Sequence, residues 1–289
     1  MNRIVSVSAA PYDGHPVPLM LESIARCGAS HVEPAFIVGY TEPFDESSFS
    51  ADNVRQWLGW LIGAGIGCHA LSSHIDLGEK DAVAVFRKRM DFARSLGARV
   101  INTNATARSN AAQFMKNIDI LARHAEDIGL QIGLENPGDR SDNILNTAED
   151  AAGLLGDIDH PSVGLNYDAG NTVSHRPEQD PVKDALLAMP LCVHTHIKDV
   201  NIKPDGFYFT QLGEGDVGCS AILSALANTR LDLSIEIPLR LHRQAGARPV
   251  RGLESLPISM IEYTIKPALS YVKTQLQSAC EYKKGEGNS

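Results

Sequence analysis

The chain has 289 residues, is 43% hydrophobic and 21% charged, and carries a formal charge of -9 with a pI near 5.5. That supplies enough apolar material for one large core, and the acidic balance argues against a nucleic-acid partner, whose binding rests on Lys and Arg neutralising phosphates. A small-molecule partner is expected instead. The five cysteines, Cys27, Cys68, Cys192, Cys219 and Cys280, are scattered and contain no C-x-x-C pair, so they read as reduced thiols and not as disulfides or a zinc-thiolate site.

The first apolar run, Ile4 to Ala10, follows one Arg and stops at Pro11-Tyr12-Asp13. It reads as a buried strand, not as a signal peptide or membrane span, and a cytoplasmic protein is expected. From there, short runs of Val, Ile and small residues alternate with longer segments of helical periodicity. Eight units follow, with strands expected near 4–10, 31–36, 67–74, 99–105, 131–136, 163–168, 193–198 and 233–238. Each is near-continuously apolar and turns polar at its C-terminal end, as parallel strands covered on both faces should.

Between them, Ala82 to Leu96 and Ala111 to Ile128 repeat apolar residues every three or four positions, and Gly97 and Gly129 follow as helix-ending residues. No internal linker interrupts the series. One closed α/β barrel, (β/α)₈ or TIM barrel, is expected over 1–280, with a polar, frayed tail at 281–289. The rival open doubly wound sheet lacks its Gly-rich loop, since Ala9-Ala10-Pro11-Tyr12 stands after the first strand.

Four consecutive strands end in an ionisable group: Glu135 in GLEN, Asp168 in NYDAGN, His196 in HTHIKD and Glu236 in SIEIP, spaced by about one βα unit each. In a closed barrel such residues converge on the C-terminal rim. Three carboxylates crowded together repel unless a cation joins them, and with one imidazole they form a hard, oxygen-rich set suited to Mn²⁺, Mg²⁺, Co²⁺ or Zn²⁺.

These pieces, with Glu135-Asn136, Asp168-Ala169-Gly170-Asn171, His196-Ile197-Lys198-Asp199 and Leu212-Gly213-Glu214-Gly215-Asp216 in this order, resemble the xylose isomerase-like barrels over roughly residues 4–240. That family holds sugar and sugar-phosphate isomerases and epimerases and the zinc abasic-site endonucleases. The resemblance implies one divalent ion on Glu135, Asp168, His196 and Glu236. It also implies Glu135 and Glu236 as the acid/base pair that moves a proton beside a carbonyl through a metal-stabilised enediolate. An isomerase or epimerase of a sugar, sugar acid or sugar phosphate is the function implied, and a lyase dehydrating a keto-polyol on the same scaffold is the alternative. Homo-oligomers of such barrels are common, so a dimer or tetramer is expected from the resemblance.

The chain also departs from the family. Sugar epimerases commonly have a histidine where Asn171 stands, and an amide can bond a substrate hydroxyl without moving its proton. The endonucleases place further metal ligands where this chain has Phe207-Tyr208-Phe209 and Asn102-Thr103-Asn104-Ala105, which argues against a trinuclear site. A catalytically silent barrel would show a damaged quartet, and the quartet is intact.

Further residues have two readings each. His74 closes the third strand and touches substrate, or a second metal, or is structural; His69 belongs to the core or bottom face. Glu33 contacts substrate or pairs with a basic rim residue. His194 supports His196 from one layer deeper or fills the interior. Lys198 shares the face of His196 by the period of two, as an oxyanion or proton partner or as a rim salt bridge. The stretch Arg240-Leu241-His242-Arg243 with Arg248 and Arg251 reads as a basic loop, with Arg240 clamping an anionic substrate group, or as solvated surface.

Overall fold

In the computed structural model, which describes residues 3–286 and side chains to 279, the eight expected strands are present, with every end within three residues of its expected place. They run Val5–Ser8, His31–Glu33 resuming at Ala35–Phe36, Gly67–Cys68 resuming at Ala70–Ser73, Val100–Asn104, Gln131–Glu135, Val163–Asp168, Cys192–Ile197 and Leu233–Ile235. Strands two and three each break once, at Pro34, which has no N–H to give, and at His69. All ladders are parallel, and the pairing closes. The first strand bonds the second and the eighth, and the second bonds the third in two segments, His31↔Gly67 and Ala35↔Ser72. The ring is a (β/α)₈ barrel in one domain.

Helix ends follow local chemistry. Ser50 and Thr147 accept the N–H groups of Asn53 and Asp150 at two helix starts. Gly129 ends Ala111–Ile128 with φ 66°, the left-handed conformation that favours glycine. The outer core includes Leu21, Ile24, Phe86, Met90, Phe114, Ile118 and Leu121, all fully buried. No described helix is long and apolar enough to cross a membrane.

Two features depart from the sequence reading. First, the barrel interior below the mouth is polar: Ser72, Asn102, Asn166, His194 and Ser234 are completely buried. Second, the stretch read as a basic loop is the outer part of a four-stranded antiparallel sheet, Asp199–Lys203, Gly206–Thr210, Leu241–Gln244 and Pro249–Arg251, that stands on the rim. The last helix runs Ile258–Glu286, so the backbone of 281–286 continues it; the remainder of the expected tail, 287–289, lies outside the described residues.

Candidate metal centre

The quartet converges. Glu135, Asp168, His196 and Glu236 each offer one ligand atom, and these four atoms lie within 4.8 Å of one another, all buried. His196 Nδ1 sits 3.3 Å from Glu135, 3.4 Å from Glu236 and 3.9 Å from Asp168. Asp168 and Glu135 are held by the backbone and amides around them, and Glu236 by Lys198. Asp168 caps Ala169–His175 by accepting the Asn171 N–H, and the Asn136 side chain clamps its backbone, accepting from Asp168 N at 2.8 Å and donating to its carbonyl at 2.9 Å. Asn166 and Asn171 donate to the two Glu135 oxygens at 2.7 and 3.0 Å.

The electrostatics show the strain of three acids in one place. Burial pushes Asp168 up, with Glu135 and Glu236 adding to it, and the Lys198 ammonium opposes them. For Glu135 and Glu236 burial also acts upward, but His196 and His74 for the former and Lys198 and His196 for the latter pull them below the ordinary carboxylate range. Burial disfavours charge on His196 itself, and Glu33, Glu236 and Glu135 outweigh it, raising its pKa well above the usual value. The donors fit a hard divalent cation: Asp168 Oδ2 is buried and accepts no well-angled hydrogen bond, and a cation would compensate all three carboxylates at once.

Beneath this centre Glu33 is fully buried and accepts from His196 Nε2 at 2.9 Å, from Ser72 at 2.6 Å and from Asn102 at 3.1 Å. It therefore supports the ligand histidine, and neither lines the cavity as a substrate contact nor pairs with a rim residue. With Nε2–H given to Glu33, Nδ1 is the nitrogen left to coordinate. His194 lies one layer deeper, bonded to Asn166 at 2.9 Å and Ser234 at 3.2 Å, with burial lowering its pKa to about 4, so it stays neutral. His69 pairs with Asp232 at the opposite end of the barrel.

Above the centre is a cavity of about 510 Å³ lined by His74, Glu135, Asn171, Lys198, Glu236 and Arg243 among others. His74 Nε2 is 3.4 Å from Glu135. Lys198 Nζ bridges Asp168 and Glu236 at 2.6 and 2.7 Å, which is the salt-bridge reading, and its side chain also lines the cavity. Asp199 folds the Gly-rich segment onto the rim, accepting N–H groups of Gly213, Gly215 and Val217; a Cβ on Gly215 would overlap its carboxylate.

Arg240 lies elsewhere. Its guanidinium is taken by Asp13 at 3.0 Å, Glu42 at 3.2 Å and three backbone carbonyls, and Arg251 joins the same two acids. The arginine that reaches the cavity is Arg243, which the sequence reading named only as part of the basic stretch. In the strand Leu241–Gln244, Leu241 and Arg243 face inward, an alternation set by where the strand lies on the rim. Asn166 and Tyr40 were not singled out at all. Phe207 and Phe209 belong to the rim sheet and Asn104 lines the cavity, so the positions of the extra endonuclease ligands hold no metal-binding side chains.

The family model described as xylose isomerase-like TIM barrel matches residues 21–255. No curated protein sequence matches the chain. Among solved structures, a xylose isomerase-like TIM barrel protein from Mycobacterium smegmatis in complex with magnesium superposes with TM-score 0.73 at 18% identity, covering 96% of this chain and 98% of that one. L-ribulose 3-epimerase gives 0.72 at 17%, covering 100% and 98%. The probable 3-DHS dehydratase from Bacillus anthracis gives 0.69 at 14%, covering 93% and 98%. At these identities the likeness shows the shared fold.

Proposed function

The chain belongs to the xylose isomerase-like TIM barrel family, and from that premise we propose that it is a divalent-metal-dependent isomerase or epimerase of a sugar, sugar acid or sugar phosphate. One observation carries the reading: three buried acids and a histidine from four consecutive strands meet within 4.8 Å at the floor of a cavity of small-ligand size. Glu135, Asp168, His196 and Glu236 would hold the ion. When bound, the ion supplies polarisation of the substrate's carbonyl and hydroxyl oxygens.

The remaining chemistry belongs to the side chains. Glu135 and Glu236 enter the cavity from strands five and eight, separated by two others, so one can take a proton from the carbon beside the carbonyl and the other can return it. His74 and Asn171 hold Glu135 and face the cavity, where they can bond substrate hydroxyls. Lys198 keeps Asp168 and Glu236 compensated. A small carbohydrate as the partner, a cytoplasmic setting and a homo-oligomer complete the proposal, the last tested by light scattering.

Lys198 also favours a second reading. Dehydration needs a proton for the departing hydroxyl, and Lys198 Nζ is a proton-bearing group at the cavity floor, where a lyase of a keto-polyol would use it.

The test is elemental analysis after Mn²⁺ loading, then incubation of the loaded protein with a panel of keto-sugars and keto-acids in D₂O. Deuterium entering the carbon beside the carbonyl without loss of water is expected. Loss of water selects the lyase, and absence of bound metal after loading overturns both.

A further inference from the structure

We propose that the cavity is built for a substrate carrying a carboxylate, which Arg243 binds while the reacting carbon lies over Glu135 and Glu236. This deepens the functional reading and rests on it for which end of the ligand reacts.

Arg243 is 3% exposed and lines the cavity. Its guanidinium donates to Asn171 Oδ1 at 3.0 Å, Tyr40 Oη at 3.1 Å and Ser174 Oγ at 3.1 Å, all neutral, and stands 5.6 Å from the Phe209 ring centre. No carboxylate of the described residues pairs with it. The other buried cations differ: Lys198 has Asp168 and Glu236, and Arg89 has Glu46. A guanidinium has five N–H donors, so three are spent and two remain, and its buried Nε has no partner. Asp168 and Glu236 act on it only from farther off; a buried charge with no acid in contact is costly, and an anion in the cavity lowers that cost.

The surroundings keep this group in place. Any Cβ on Gly138 would overlap the guanidinium, so the loop after strand five is shaped around it. Asn171 links the two ends of the cavity, donating to Glu135 and accepting from Arg243. A single amide thus separates the acid from the guanidinium. A carboxylate on Arg243 therefore places the carbons a few bonds away above the proton-moving acids, which suits a short polyol or keto acid.

A carboxylate fits better than a phosphate. Arg243 is the one lining cation not already paired with acids among the described residues, since Lys198 is spent, and Asp76 and Asp139 line the same cavity. Those acids oppose a dianion more strongly than a monoanion.

The experiment is calorimetric titration of the Mn²⁺-loaded protein with D-gluconate, sorbitol and sorbitol 6-phosphate, which share a six-carbon polyol frame. Mn²⁺ affinity is measured separately. Gluconate is expected to bind more than tenfold tighter than either other ligand. Arg243→Gln should bring it close to sorbitol with Mn²⁺ affinity unchanged, Arg243→Lys should keep part of the preference, and Arg240→Ala, outside the cavity, should keep all of it. Should Arg243→Gln fail to fold, the Lys variant decides, because a full preference there leaves no role for the guanidinium fork.

Equal binding of gluconate and sorbitol overturns the inference, as does an undiminished preference in Arg243→Gln or tightest binding of the phosphate. If Mn²⁺ does not bind, the same titrations in EDTA separate the two ideas: an Arg243-dependent preference keeps this inference while the metal reading falls.

Discussion

The cavity has two walls that handle charge in opposite ways. The barrel wall gathers Glu135, Asp168 and Glu236 and surrounds them with His196 and Lys198, so excess negative charge is met by cations inside the fold. The rim wall, formed by the sheet that carries Arg243 and Phe209 with the helix Ala169–His175 behind it, buries a cation among amides and hydroxyls with no acid in contact. Lys198 and His196 offset part of the acid charge on the barrel wall and a bound ion would offset the rest; on the rim wall Arg243 feels Asp168 and Glu236 only from a distance, and an acid in contact would have to come from a ligand. One wall is equipped for a metal and proton movement, the other for holding the far end of a substrate.

The largest expected effect strikes the barrel wall. Glu236→Gln keeps an oxygen able to coordinate but cannot accept a proton, so turnover should fall by about 10²–10⁴. Metal occupancy should fall far less. Steady-state rates and Mn²⁺ titration on the same preparation check this; a parallel loss of both would reduce Glu236 to a ligand and remove half of the acid/base pair.

A smaller effect lies below the wall. Glu33→Gln keeps the shape, yet an amide cannot accept from His196, Ser72 and Asn102 together as the carboxylate does. His196 then loses the partner that fixes its Nε2 proton, and Mn²⁺ affinity should drop by about 10–100-fold. Unchanged affinity would mean that the depth of the barrel wall contributes nothing to the centre.

The two walls also differ in how far they could be read from the sequence. Glu135, Asp168, His196 and Glu236 sit at the ends of strands whose spacing is set by the βα repeat, so the fold brings together what periodicity already aligned. Lys198 and His194 followed from the period of two. The rim sheet has no such repeat: its strands are three to five residues long and join segments from Asp199 to Arg251. Arg240 and Arg243 therefore looked equivalent on one basic stretch. What separates them is long-range: Asp13 and Glu42, from near the first and second strands, capture Arg240, while Gly138 and Asn171 make room and a partner for Arg243. Glu33 was placed on the right strand, but its depth depends on a polar interior that apolar strand patterns do not announce.

The smallest effect tests whether the rim wall tolerates more positive charge. His175, 1% exposed, accepts the Arg140 N–H at Nδ1 and pairs through Nε2 with Asn146 Oδ1, an arrangement that fits the neutral ring. Burial and then the Arg176 charge lower its pKa to about 4; Arg243 adds to this, while Asp139 and Glu178 oppose it. The unfolded chain protonates a histidine near pH 6.5, so between about 6.5 and 4 the unfolded state binds more protons and stability falls as pH falls. The contribution is complete above pH 6.5 and lost below 4. Urea unfolding at pH 7 and pH 5 should show the wild type losing about 2 kcal/mol more than His175→Gln, whose amide does not titrate. An equal pH dependence in the two proteins would mean that neither burial nor the Arg176 charge disfavours a proton on this ring, and the contrast between the two walls would then rest on Arg243 alone.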